Sequence, residues 1–275
     1  MNFKRNIKNT LFKFSKNIAL NVNVLLKPLG IKLIKIEKRH SEFPVEATKR
    51  DIEIIKYVLN SNWDKKLSMV SVDRLMAVIS STKYIIENNI EGDFVECGVW
   101  RGGCALAMAM ILNDYKVNRK IYLYDTFEGM TSPGKEDLGF DGSQPLKIFK
   151  EYQKENHNEW CFASIEDVQH QFKKLNLNSN VIFVKGDVVK TLSEKENLPE
   201  KIALLRLDTD WYESTKMEMN VLYPKLIKNG VLLIDDYADW QGCKRAIDEY
   251  FNENFRFNYP LMWGNRNTGK GLVKR

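Results

Sequence analysis

Leu205-Arg-Leu-Asp208-Thr-Asp210-Trp-Tyr-Glu-Ser-Thr215 and, shortly after it, Gly230-Val-Leu-Leu-Ile-Asp235-Asp236-Tyr237 each carry a largely apolar run into acidic residues. Runs of this length and composition suit buried strands. In open α/β sheets the ligand site lies beyond the carboxyl ends of the strands, which is where Asp208, Asp235 and Asp236 fall. Converging carboxylates offer hard oxygen ligands, so a divalent cation, Mg²⁺ first, is the expected occupant. Each of these Asp residues equally suits the N-cap of a following helix. Two neighbouring strands ending the same way favour the ligand reading.

The pattern extends in both directions. Phe94-Val-Glu-Cys-Gly98 reads as a strand entering a turn, Ala105–Leu112 as a helix, and Ile121–Asp125, Val181–Val184, Ala203–Leu207 and Val231–Ile234 as further strands. Helical segments separate them at Ser164–Leu175, Ser214–Ile227 and Gly242–Asn252, and residues 50–90 are helical by spacing. Strands alternating with helices imply an α/β, doubly wound, mainly parallel sheet. Residues 131–145 have loop composition and a length that suits a lid or substrate loop.

With 275 residues, 44% of them hydrophobic, the chain can bury one substantial core. Its net charge of +6 is local: residues 1–40 hold ten Lys or Arg and one Glu, which leaves the rest slightly acidic. That distribution opposes a broad nucleic-acid-binding face. Phe3, Ile7, Leu11, Phe14 and Ile18 recur at helical spacing among lysines, so residues 1–45 read as a basic amphipathic arm. Its apolar face suits contact with an anionic membrane surface, with the body of the chain, or with a second copy in a homo-oligomer. Residues 46–275 form the remaining domain. Cys97, Cys104, Cys161 and Cys243 show no CxxC pair, which points to a reduced, cytoplasmic protein. His40, His157 and His170 fit no ligand spacing.

Glu96-Cys97-Gly98-Val99-Trp100-Arg-Gly102-Gly103 follows the first strand and opens a helix, a place where backbone N–H groups and small residues admit a nucleotide-type cofactor. Asp125, at the end of the next strand, is placed as a ribose-binding acid would be.

These residues carry a resemblance. The run Gly92–Gly103, Asp125-Thr126-Phe127-Glu-Gly129, Ser164-Ile-Glu-Asp-Val168, the Asp208–Thr215 run and Asp235-Asp236-Tyr237 resemble the macrocin-type (TylF-like) O-methyltransferases over about residues 68–273. The resemblance implies a Rossmann-like, class I methyltransferase that uses S-adenosylmethionine and a divalent metal on sugar hydroxyls. It places the metal on Asp208, Asp235 and Asp236, and Asp208 as the base, with Asp210 in reserve. Glu96, Cys97, Gly98, Val99 and Trp100 would line the methionine part of the cofactor. Asp125 would bind the ribose, beside Thr126 and Phe127, and Ser164 would lie near the adenine. Ser68-Met69 stands where the family has a Thr-Met pair. The chain departs from the family where Asp187-Val188 follows Gly186, a pattern in which the acid reaches the adenine amino group.

The acceptor expected is a sugar within a glycan or a glycosylated natural product, which calls for a polar groove near residues 131–145. A catechol-like phenol would call for a tight aromatic slot instead. A non-catalytic, adenosine-binding scaffold at a membrane is the reading from another class.

Overall fold

In a computed structural model of the chain, residues 43–255 and 269–275 are described. The amphipathic arm, apart from residues 43–45, lies outside them, as do His40 and Thr268.

Six strands form one sheet: β1 (Asp93–Cys97), β2 (Ile121–Asp125), β3 (Val181–Lys185), β4 (Ile202–Leu207), β5 (Leu226–Ile234) and β6 (Lys270–Val273). Their spatial order is β3-β2-β1-β4-β5-β6, with β6 alone antiparallel to its neighbour. The chain works outward from β1 to β3 and then returns to lay β4 against the other side of β1. Such a reversal opens a crevice at the carboxyl ends of β1 and β4.

Both faces of the sheet are covered, which is why its strands are apolar almost without alternation. On one face Phe94, Leu123, Leu204 and Leu233 pack with helices α1 (Lys49–Val58), α2 (Val72–Glu87) and α3 (Gly103–Asp114). Two further helices follow, α4 (Pro145–Tyr152) and α5 (Ile165–Lys174), and Val168 and Phe172 of α5 join that core. On the other face Val95, Cys97, Tyr124, Leu205 and Leu207 form a second core, with Val188 of the single-turn helix α6 (Val188–Thr191). Met219 of α7 (Tyr212–Val221) and Ile247 and Phe251 of α8 (Gln241–Phe255) complete it.

Three elements differ from the sequence expectation. The helix expected through Ile227 stops at Val221, because Pro224 sits in the short 3₁₀ turn Tyr223–Lys225 and Leu226 already belongs to β5. Pro145, read as the end of a loop, instead opens α4, where a residue without N–H costs nothing at N1. β6, from Lys270 to Val273, is a strand absent from the sequence expectation. None of the helices in the described residues is long and apolar enough to cross a membrane.

The start of α1 depends on one buried acid. Asp51 closes a capping box with Thr48, and the Lys83 ammonium of α2 lies 2.7 Å from its Oδ1. Burial raises the Asp51 carboxyl, but the hydrogen bonds from Lys83 and Thr48 outweigh this and hold it below its ordinary value. A carboxyl held low in the folded state stabilises above its unfolded pKa and loses that contribution as pH falls through the folded value. Asp51→Ala should therefore cost about 2–4 kcal/mol near neutrality. In urea unfolding followed against pH, the gap to wild type should close below about pH 4.

Candidate active site

The register of the sheet sets the site. Cys97 pairs with Tyr124 and with Leu207, and Leu207 with Ile234, so the residues that follow, Gly98, Asp125, Asp208 and Asp235, come level along one edge. Gly98 has φ +81°, and a Cβ there would fall 1.8 Å from the Asp208 carbonyl oxygen. Its missing side chain thus admits the chain leaving β4, where the sequence had suggested room for a ligand. Gly103 likewise makes way for Leu67 and Ser68.

At the centre stands Arg206, only 2% exposed. Its Nη1 donates to Glu96 Oε1 at 2.8 Å and to Asp208 Oδ2 at 2.7 Å, and its Nη2 donates to Asp235 Oδ1 at 2.8 Å. Arg74 of α2 reaches the same cluster, donating to the other oxygen of Asp235 and, at 2.6 Å, to Asp239 Oδ2. Asp236 Oδ2 accepts the Asp210 N–H at 3.2 Å. Ligand atoms of Asp208, Asp235 and Asp236 all lie within 4.8 Å of one another. The capping role open to Asp208 is filled from elsewhere: the N–H of Tyr212, first residue of α7, donates to Asp137 Oδ1 of loop 131–145 at 2.8 Å.

A cavity of about 230 Å³ opens on these acids. Of the residues read from the sequence, Ser68, Met69, Glu96, Gly98, Val99, Trp100, Asp125, Thr126, Asp187 and Val188 line it, together with the three metal candidates. Cys97 faces the second core, Phe127 packs in the first, and Ser164 caps α5 through the Asp167 N–H. Asp125 does more than face the cavity. Its Oδ2 accepts the N–H groups of Val99 and Trp100 at 2.6 and 3.0 Å, and its Oδ1 that of Phe127 at 2.7 Å. Asp187 Oδ1 accepts the Val189 N–H at 3.0 Å and caps α6. Arg101 donates to the carbonyls of Trp63 and Lys66 and lies over the Trp100 ring. His157 packs on Phe162 and does not line the cavity.

The electrostatics are those of crowded buried acids. Burial first, then Asp235 and Asp210, push the Asp208 carboxyl well above its ordinary range against the pull of Arg206. Burial followed by Asp210, Asp208 and Asp235 does the same to Asp236. Asp210 is raised to about 7 by burial, although the Trp240 indole N–H opposes this. Burial likewise takes Glu96 to about 7 against Arg206. Beneath the site Thr209 donates to Glu218 Oε1 at 2.9 Å, and burial raises that acid to about 8. Sequence reading had missed Arg74, Arg206, Asp137 and Glu218 as parts of this network.

Known proteins give this geometry a context. The profile of the macrocin-O-methyltransferase (TylF) family matches residues 22–263, reaching upstream of residue 68, where the recognisable motifs begin. Demethyldecarbamoylnovobiocin O-methyltransferase of Streptomyces niveus is 33% identical over 185 residues, 66% of this chain and 67% of that one. A Streptomyces olivaceus enzyme, the 4'-O-methyltransferase of 8-demethyl-8-(2,3-dimethoxy-alpha-L-rhamnosyl)-tetracenomycin C, is 31% identical over the same shares of each chain. Among solved structures the O-methyltransferase NovP matches with a TM-score of 0.70 and 26% identity, over 82% of this chain and 98% of that one. With its class I sheet, its acids at the strand ends and a profile match over most of its length, the chain belongs to the macrocin O-methyltransferase (TylF) family.

Proposed function

We propose that this chain transfers a methyl group from S-adenosylmethionine to a sugar hydroxyl of a glycan or glycosylated natural product, assisted by Mg²⁺ held by Asp208, Asp235 and Asp236. The observation that carries the proposal is the approach of these three carboxylates to within 4.8 Å of one another, in a cavity that Gly98, Val99 and Asp125 also line. Burial and mutual repulsion raise Asp208 and Asp236, a cost that a divalent cation would offset, and oxygen donors of this kind fit Mg²⁺. When bound, Mg²⁺ would supply Lewis-acid charge that makes a nearby hydroxyl easier to deprotonate.

The acceptor reading rests on what lines the cavity and on the relatives. Thr131, Thr209, Asp210 and Ser214 are among the residues of the wall, a polar lining that suits a sugar better than an aromatic ring. The name of the Streptomyces olivaceus relative specifies a rhamnosyl-bearing substrate.

The chain's own residues then have distinct tasks. Asp125 holds the Val99 and Trp100 N–H groups and so fixes the turn that receives the cofactor, and on this reading the same carboxylate meets a ribose hydroxyl. Arg206 fixes the Asp208 carboxylate through Oδ2 and leaves Oδ1 to take the acceptor proton. Methyl transfer is an in-line displacement, so holding the acceptor oxygen against the methyl group supplies much of the rate.

Calorimetric titration with S-adenosylhomocysteine should show binding, and Asp125→Asn should weaken it by about tenfold or more, the scale of a lost charge-assisted hydrogen bond. Equal affinity in the variant would remove Asp125 from the cofactor site.

Asp208→Asn should keep the fold and cofactor affinity yet slow methyl transfer by roughly 10²-fold or more. Asp235→Asn and Asp236→Asn should chiefly raise the Mg²⁺ concentration needed for half-maximal turnover. Undiminished methylation of a verified sugar acceptor in excess EDTA would show that the acids bind no metal.

A further inference from the structure

Trp240 lies immediately before α8, and three separate contacts meet on it. Its indole Nε1 donates to Asp210 Oδ1 at 2.5 Å. Its backbone forms an antiparallel bridge with Gly139, in the middle of loop 131–145. Its ring stands edge-on to Trp211 at 5.0 Å and to Trp160 at 6.4 Å. Trp211 in turn donates its Nε1 to the carbonyl of Thr131, a residue of the cavity wall, at 3.0 Å. Two indole N–H groups of this aromatic brace are therefore directed at residues of the cavity, and the three rings come from distant parts of the chain.

Asp210 is the group this brace restrains. It lines the cavity, its backbone is left-handed with φ +65°, and its N–H is tied to Asp236. With the N–H anchored and Oδ1 held by the indole, the plane of the carboxylate is set and Oδ2 is the oxygen offered to a further donor. A hydroxyl donating to a fixed carboxylate oxygen makes a short, strong hydrogen bond. We infer that Trp240 is a positioning residue for acceptor binding: its indole N–H aims Asp210 at a sugar hydroxyl, and its bridge to Gly139 ties loop 131–145 to the same arrangement. This rests on reading the cavity as the acceptor site of a sugar methyltransferase.

The full-length protein tests it with two readouts. Trp240→Phe keeps an aromatic ring and removes the N–H; Trp240→His returns a ring donor. The acceptor kcat/KM of Trp240→Phe should fall by about tenfold or more, mainly through KM, because small misplacements of a positioning group are costly. Affinity for S-adenosylhomocysteine and for Mg²⁺ should stay at the wild-type level, and Trp240→His should recover part of the loss. An unchanged acceptor KM, or an equal loss of cofactor and metal binding, overturns the inference. Independently of turnover, the indole ¹⁵N–¹H resonance that disappears in Trp240→Phe should shift in Asp210→Asn. A resonance that stays in place overturns the inference even in an active enzyme. A shifted resonance supports the indole bond even where no sugar is methylated, and that failure then falls on the proposed acceptor.

Discussion

Arg206 sits in β4, next to the central strand β1, where an unpaired guanidinium would be prohibitively costly, and it is tolerated because three carboxylates from three parts of the sheet surround it. Glu96 comes from β1, Asp208 from the end of β4 itself and Asp235 from the end of β5. Glu96, the most buried of these acids, depends on the cation in turn, since removing one partner of a buried ion pair costs about 3–5 kcal/mol, whereas Asp235 also pairs with Arg74. The planar fork of Arg can serve several carboxylates at fixed angles, which the single point charge of Lys cannot. Strand register brings the acids level, and Arg206 then determines which oxygens remain free to face the cavity.

The same logic governs the neighbouring turn. Asp125 accepts three backbone N–H groups, two from the Val99–Trp100 turn and one from Phe127, so this side of the crevice has its shape before any ligand arrives. Preorganisation of this kind lowers the ordering cost that binding must otherwise meet. Gly98 contributes by yielding space to the Asp208 carbonyl, so the turn after β1 and the acid after β4 are packed as one unit. A backbone shift at either would be felt at both, which links this turn to the acid cluster.

What the sequence made legible was whatever local pattern encodes. Strands Ile121–Asp125 and Val181–Lys185 and the helix of Ser164 could be placed because apolar period and caps are short-range signals. The three acids could be grouped because they stand just past the ends of two apolar strands. Arg206 escaped notice inside a largely apolar run. Arg74 meets Asp235 across 161 residues, and Asp137 meets Tyr212 across 75, distances over which sequence periodicity carries no information. The end of α7 was misplaced because the helical pattern ran on through Pro224 and into the first two residues of β5.

The cavity wall holds seven carboxylates, Glu96, Asp125, Asp187, Asp208, Asp210, Asp235 and Asp236, against the two guanidiniums of Arg74 and Arg206. That excess of acids is kept although burial penalises their charge, and the raised carboxyls at Asp208, Asp210 and Asp236 show that a cation brought among them would be favoured. Folding alone would favour removing such acids, because a well-packed apolar group in their place is often more stable. A methyl donor with a positively charged sulfonium and a divalent cation would both be drawn to this field. An anionic group brought against the same wall would be repelled, so the wall itself favours an acceptor whose reacting end carries no negative charge until its hydroxyl gives up a proton.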